Sequence, residues 1–264
     1  MSYKVTGLVA ILLAVGMSSG VFAAQESVAK PSAGAWVSGS GVSVTSGKYG
    51  TAQTTTLTQL SETLKYQGST GEVGVVVPYL IRRGGGVTAG ETTRARGTTI
   101  PNNASGLGDI RLKGKYYWLE EVDWRPAVDV AGWVKFPTAS ASDGLGTGRF
   151  DVGFGPDLVK RFGSLITFAD LQAVLRDRPS GSTIKSTRFD YSVGVGYPLT
   201  SRFTGYVSLD GGTKSSTNSK APLEVVFSGT YKMMKNLGLN GFISAGLSKG
   251  SPDVGAGAAI TIRF

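Results

Sequence analysis

The chain has 264 residues, a formal net charge of +9, 39 glycines, and neither cysteine nor histidine. Without cysteine there is no disulfide framework and no thiolate chemistry. Without histidine as well, the usual zinc sites, Cys–His pairs and Ser–His–Asp triads are excluded, so the sequence is read as a non-enzyme with no catalytic residue, metal ligand or cofactor. The basic charges are scattered along strand-like segments instead of clustered on one face, which argues against nucleic acid as a partner.

At the amino end Lys4 precedes an apolar run, Val5 to Val15, and Ser18, Ser19 and Gly20 lead to the small-residue exit Val21-Phe22-Ala23. That is the layout of a secretory signal peptide over 1–23, cleaved after Ala23. The apolar run is too short for a transmembrane helix, which needs about 18 apolar residues, and nothing later in the chain approaches one. The mature domain, 24–264, keeps 264 − 23 = 241 residues with 26 Lys and Arg against 18 Asp and Glu, a net charge of +8. An exported chain without a membrane helix is periplasmic, secreted or in the outer membrane.

The many Gly, Ser and Thr residues and the absence of helical periodicity indicate an all-β chain. Apolar residues recur at every second position through about twelve segments. The first two, Trp36 to Thr45 and Thr55 to Tyr66, are the least regular. In the second, Glu62 shares the face of Leu60, Leu64 and Tyr66, which points to a bulge or a shifted boundary there. The third sets Val73, Val75, Val77, Tyr79 and Ile81 on one face, and a long Gly, Thr and Asn loop, Gly84 to Leu107, follows. The fourth opposes Leu112, Tyr116 and Trp118 to Arg111, Lys113 and Lys115, and the fifth opposes Val130 and Val134 to Asp129, Trp133 and Lys135. After the polar loop Pro137 to Gly148, the sixth opposes Val152 and Phe154 to Asp151, and the seventh Leu171 and Leu175 to Asp170. The loop Asp177 to Ser186 leads to the eighth, with Phe189, Tyr191 and Val193 opposite Arg188 and Asp190. The ninth opposes Val207 and Leu209 to Tyr206 and Asp210; after the loop Gly211 to Lys220, the tenth opposes Phe227 and Tyr231 to Glu224, and the eleventh Leu239 and Ile243 to Phe242. The twelfth carries Val254, Ala256, Ala258, Ile260, Ile262 and Phe264 on one face.

Tight turns follow the even segments and long polar segments mostly follow the odd ones, the asymmetry of a bacterial transmembrane β-barrel with short periplasmic turns. Aromatics gather at the strand ends in two groups, Tyr66, Tyr116, Trp118, Phe162, Tyr197, Tyr231 and Phe264 at one end and Tyr79, Phe136, Phe150, Phe189 and Tyr191 at the other. The expectation is a single antiparallel transmembrane β-barrel of about twelve strands in the Gram-negative outer membrane, with both termini periplasmic. A final Phe on an alternating strand resembles the closing strand of outer-membrane barrels, which carries the signal for the barrel-assembly machinery; Phe264 is that candidate.

The glycine run Gly144-Leu145-Gly146-Thr147-Gly148 opens a strand and not a helix, so it is read as a flexible loop and not as a phosphate cradle. The longer stretch Phe136 to Asp151 carries a family resemblance, together with Gly106-Leu107-Gly108-Asp109, Val77-Pro78-Tyr79-Leu80 and Val193-Gly194-Val195-Gly196-Tyr197-Pro198-Leu199. From about Tyr66 to Phe264 the chain resembles the outer-membrane transporters assigned to the meta-pathway of phenol degradation, with Ala139 where that family commonly has Gly. The resemblance implies passage of small hydrophobic or aromatic compounds.

The polar faces supply the lumen-facing candidates: Arg111, Lys113, Lys115, Asp129, Trp133, Lys135, Asp151, Asp170, Arg188, Asp190, Tyr206, Asp210, Glu224 and Phe242. The consecutive basic positions Arg111, Lys113 and Lys115 are expected to give any conductance a weak preference for anions. Arg82, Arg83, Arg94 and Arg96 flank or occupy the longest loop and are candidates for contact with lipopolysaccharide phosphates. The expected partners are outer-membrane lipid, lipopolysaccharide, the assembly machinery and a small solute. A non-transporting structural or interaction barrel with a blocked lumen is the alternative.

Overall fold

A computed structural model describes residues 34–84, 101–178 and 183–264. The signal peptide, Arg94 and Arg96 lie outside the described residues. Thirteen antiparallel strands form one sheet: β1 (Ala35–Gly47), β2 (Thr55–Gln67), β3 (Gly71–Arg83), β4 (Asn103–Leu107), β5 (Arg111–Leu119), β6 (Ala127–Lys135), β7 (Asp151–Phe162), β8 (Leu165–Arg176), β9 (Thr187–Pro198), β10 (Phe203–Gly212), β11 (Leu223–Lys232), β12 (Leu237–Gly246) and β13 (Val254–Arg263). Each strand pairs with its sequence neighbours except that β4 and β5 both pair with β3, and β1 pairs with β13 from Val37↔Arg263 to Ser46↔Val254, so the sheet closes on itself. The seam continues past the last strand: Trp36 N donates to Phe264 O at 2.9 Å and Phe264 N to Trp36 O at 3.0 Å.

Closure and alternation together are what a bilayer demands, because hydrocarbon offers no hydrogen-bond partner for an open strand edge. The exposed side chains are the apolar set, among them Leu64, Leu112, Val193, Ile243 and Ile260, while the charged residues of the same strands, Glu62 apart, point inward. Exposed aromatics close this band at both ends, with Trp36, Tyr66, Tyr116, Phe162, Tyr197 and Phe264 at the short-turn end and Tyr79, Phe150, Phe189 and Tyr191 at the long-loop end. Aromatic rings suit the two membrane interfaces.

The structure departs from the sequence reading in three places. The expected loop Gly84 to Leu107 contains β4, which pairs with the outer part of β3 from Tyr79↔Leu107 to Arg83↔Asn103. β5 pairs with the inner part of the same strand, from Val76↔Arg111 to Gly71↔Tyr116. β4 and β5 are therefore two pieces of the fourth barrel strand, and the barrel has twelve strands around its wall. The run Asn103-Ala104-Ser105-Gly106-Leu107 has too little β-branched or aromatic content to announce a strand, and only β3 beside it supplies the ladder. Second, β2 is regular: its register runs unbroken from Thr55 to Gln67 against β1, leaving Glu62 facing outward. The irregularity sits on β5 instead, where the register shifts between Tyr117 and Leu119. Third, the loop 136–150 is packed and not loose, as described below.

The widest of the short turns, 120–126, is stapled to the wall. Glu121 accepts from Lys160 Nζ at 2.9 Å, from Arg161 N at 2.8 Å and from Arg161 Nη1 at 2.8 Å. Burial alone would raise the Glu121 carboxyl, but these three donors outweigh it and hold it below the usual glutamate range. A folded-state pKa below the unfolded one contributes stability that is complete above the ordinary glutamate range and lost as pH falls through the folded value. Glu121→Gln is therefore expected to lower unfolding stability by about 2 kcal/mol at neutral pH and to leave little difference from the unsubstituted protein in strong acid, measured by urea unfolding of the reconstituted barrel at several pH values.

Candidate functional site

The interior is built by the inward residues of every strand, and each lumen candidate stands on that face. Lys115, Asp129, Lys135, Asp151, Asp170, Tyr206, Asp210 and Phe242 are buried, and Arg111, Lys113, Trp133, Arg188, Asp190 and Glu224 are half-buried. Ion pairs tie the charges together. Lys115 Nζ meets Asp157 Oδ2 at 2.9 Å, Lys65 Nζ meets Glu72 Oε2 at 2.8 Å, and Arg188 pairs with Asp190 two residues along its own strand. Arg111 lies over the Trp133 ring, 5.4 Å from its centroid, and Trp133 Nε1 donates to Gln172 Oε1 at 2.9 Å.

The register brings the acidic residues into one row that no strand shows alone. Asp129 stands opposite Asp157, Asp157 opposite Asp170, Asp170 opposite Ser192, Ser192 opposite Asp210, and Asp210 opposite Glu224. Like charges facing each other across a ladder are destabilising. Lys115 answers the row at Asp157, and Ser192 Oγ donates to Asp210 Oδ1 at 2.6 Å. The basic run Arg111, Lys113 and Lys115 therefore does not set the field by itself, and the anion preference expected from it does not follow: its last member is bound to a carboxylate, with further carboxylates beside it.

Beside this row the aromatics are laid flat. Trp133, Phe168, Tyr206 and Phe242 stand opposite Gly153, Gly194, Gly196 and Gly257 on the neighbouring strands. A methyl group on any of these glycines would collide with the facing ring. Each ring thus covers the adjacent backbone where a side chain would otherwise stand. Val159, Ile166, Phe168, Tyr206, Val226 and Phe242 join in one apolar cluster, with Phe168 and Tyr206 edge to face at 6.3 Å.

At the long-loop end, where β4 has left β6, side chains replace the ladder. Phe136 N donates to Ile110 O at 2.8 Å, Thr138 Oγ1 donates to Gly108 O at 2.8 Å and accepts from Ile110 N at 2.9 Å, and Asp109 Oδ1 accepts from Ala139 N at 3.0 Å. Lys135, 1% exposed, joins Asp109 Oδ2 at 3.0 Å, Asp151 Oδ2 at 2.7 Å and Thr147 Oγ1 at 3.0 Å. Leu145, from the glycine run, packs with Leu80 and Ala139 in a second apolar cluster. Gly146 faces both Ala139 and the Asp109 carboxylate, with no room for a Cβ.

Arg82, expected at the lipopolysaccharide surface, is 2% exposed and faces inward. Its guanidinium donates to Gly84 O at 3.0 Å, Pro101 O at 2.8 Å and Asp143 O at 2.8 Å, so it anchors this loop and is not offered to lipid. Arg83, next along the strand, is exposed. Asp109, Asp157, Thr138 and Gln172 were not among the candidates and do as much to organise the interior as those that were. Asp109 had a signal, since it closes Gly106-Leu107-Gly108-Asp109, but its partner Lys135 lies 26 residues away.

A closed antiparallel barrel with an apolar outer band, two aromatic girdles and a charged interior is a transmembrane barrel of the outer-membrane type. Residues 31–264 match the family described as "Putative MetA-pathway of phenol degradation", and the chain belongs to that family. Among curated proteins none matches the sequence. The fold is similar to that of an outer membrane channel from Pseudomonas putida F1, at 12% identity and a TM-score of 0.67, over 89% of this chain and 97% of that one. It is also similar to the beta domain of a Bordetella autotransporter, at 12% identity and a TM-score of 0.53 over 88% and 99% of the two chains.

Lys135→Met removes the cation that answers two buried carboxylates. The expected loss is about 3 kcal/mol of unfolding stability, read from urea denaturation followed by tryptophan fluorescence.

Proposed function

We propose that the protein is a passive outer-membrane channel for small hydrophobic or aromatic solutes. The observation that carries this reading is the set of inward aromatics, Trp133, Phe168, Tyr206 and Phe242, seated on facing glycines, which makes part of the interior apolar. Membership of a family named for phenol degradation supports the same solute class. Buried ion pairs between inward side chains, Lys115 with Asp157 and Lys135 with Asp151, favour the alternative of a blocked lumen, in which the barrel serves as structure or as an interaction surface. Single-channel conductance in a planar bilayer separates the two readings.

Uptake of an uncharged phenol into protein-loaded vesicles is expected to exceed uptake into empty ones. Gly194→Val, which drives the Phe168 ring off the wall, should cut the excess roughly ten-fold, about 1.4 kcal/mol of barrier. Equal uptake with and without the protein would remove the channel reading.

In this reading the short-turn end, with Trp36 and Phe264, faces the periplasm after cleavage of the signal peptide at 1–23, and Arg83 and the long loops meet lipopolysaccharide. Phe264 serves the assembly machinery: its side chain is 68% exposed at the seam, whereas Arg263 points inward. Deleting Phe264 is expected to lower the yield of heat-modifiable barrel in the outer membrane far more than Arg263→Ala does; similar yields on a detergent gel would remove this role.

A further inference from the structure

Loops between strands ordinarily run over the surface, where water serves their backbone groups. The loop 136–150, between β6 and β7, is turned into the barrel instead. Its Leu145 packs on Leu80 of β3, and Leu57 of β2 and Ala104 of β4 pack against the same cluster. These three belong to the inward sets of their strands, Ala104 standing opposite the inward Arg82. A Cβ on Gly106, the next inward position of β4, would lie 3.2 Å from Leu145 Cδ1. From its root at Lys135 the loop therefore crosses the inner faces of the fourth, third and second barrel strands, a reach of about 14 Å at the usual strand spacing.

The loop keeps this course by its own shape and by anchors on the wall. Gly144 and Gly148 have positive φ, 67° and 64°, which turns the chain on either side of Leu145. Within the loop Leu145 N donates to Ser140 O at 3.0 Å, and Ser140 Oγ donates to Asp143 Oδ2 at 2.6 Å. From the wall, Arg82 donates to Asp143 O, Asp109 accepts from Ala139 N, and Lys135 donates to Thr147 Oγ1. A loop that only joined two strands would need none of these anchors. The dimensions leave little room beside it. Twelve strands about 4.8 Å apart and tilted about 40° close a wall roughly 24 Å across between backbones. Inward side chains take up about half of that width, and a segment laid over one side takes about 5 Å more, which leaves roughly 7 Å, the width of one aromatic ring.

We propose that the loop 136–150 is the narrowest section of the passage and sets the size of the solute that enters, with Leu145 and Arg82 the positioning residues that hold it in the bore. The solute follows from the channel reading; the place of the constriction follows from the loop geometry alone.

The experiment loosens the loop from two sides, with Leu145→Asp and with Arg82→Gln, and takes Asn218→Asp, exposed in the loop between β10 and β11, as the control. Folding of each variant is checked by its heat-modifiable mobility. The chain has no cysteine, so Leu145→Cys, at a position 3% exposed, reports where the loop lies. Its thiol is expected to resist a membrane-impermeant maleimide in the folded barrel and to react once Arg82→Gln is added. Conductance in planar bilayers, and swelling of vesicles in neutral solutes of increasing size, should rise roughly two- to three-fold in both loosened barrels, the ratio of the open sections with and without the loop. The largest solutes should gain most, and the control should gain nothing. A silent unsubstituted barrel with conducting loosened variants would support the constriction and remove passive uptake. Equal, non-zero conductance and size limit in the unsubstituted and loosened barrels would overturn the constriction and leave the channel reading standing. No conductance in any form would overturn both. Free reaction of the Leu145→Cys thiol without Arg82→Gln would place the loop outside the bore and overturn the proposal as well.

Discussion

The structure depends on one constraint: inside a bilayer every backbone N–H and C=O must find its partner within the protein. The β1–β13 pairing meets it by leaving no free edge, and the exchange of backbone hydrogen bonds between Trp36 and Phe264 carries the seam to the girdle. Where the fourth strand breaks between β4 and β5 the constraint returns locally. There the groups of Gly108, Ile110 and Ala139 are taken up by Thr138 and Asp109, residues whose side chains mimic a ladder that geometry has interrupted.

Closure then decides where the charges stand. With lipid outside, the strands turn most of their charged residues inward, Glu62, Arg83 and Lys160 apart, and a narrow barrel brings residues from distant parts of the sequence against one another. The result is a set of pairings, Lys115 with Asp157 and Lys135 with Asp109 and Asp151, whose members are far from bulk water. A buried charge that loses its partner is strongly destabilising. The wall is thus held by the same residues that line its interior. The aromatics follow a parallel rule: a large ring is accommodated on the inner surface where the neighbouring strand offers a glycine, and those glycines are a structural counterpart of the rings, not an expression of loop flexibility.

What the sequence determined by itself is whatever follows from a period of two. Alternation is a local property of an extended chain, so the lipid and lumen faces of β5 to β13, the two girdles, the turn and loop asymmetry and the inward position of residues such as Arg111 and Asp210 were legible without any contact being known. Tertiary structure decided everything that depends on register between segments tens of residues apart. No local pattern aligns Asp129, Asp157, Asp170, Asp210 and Glu224, because each is one unremarkable inward acid on its own strand. Likewise β4 has a composition that favours no strand and exists because β3 lies beside it. Arg82, beside the long loop and of inward parity in the sequence, became an internal anchor and not a lipopolysaccharide contact because the fold brings the carbonyls of Pro101 and Asp143 to it. A side chain's face is set by its own residue's parity, but its partner is set by closure of the whole sheet, and only the folded barrel contains that information.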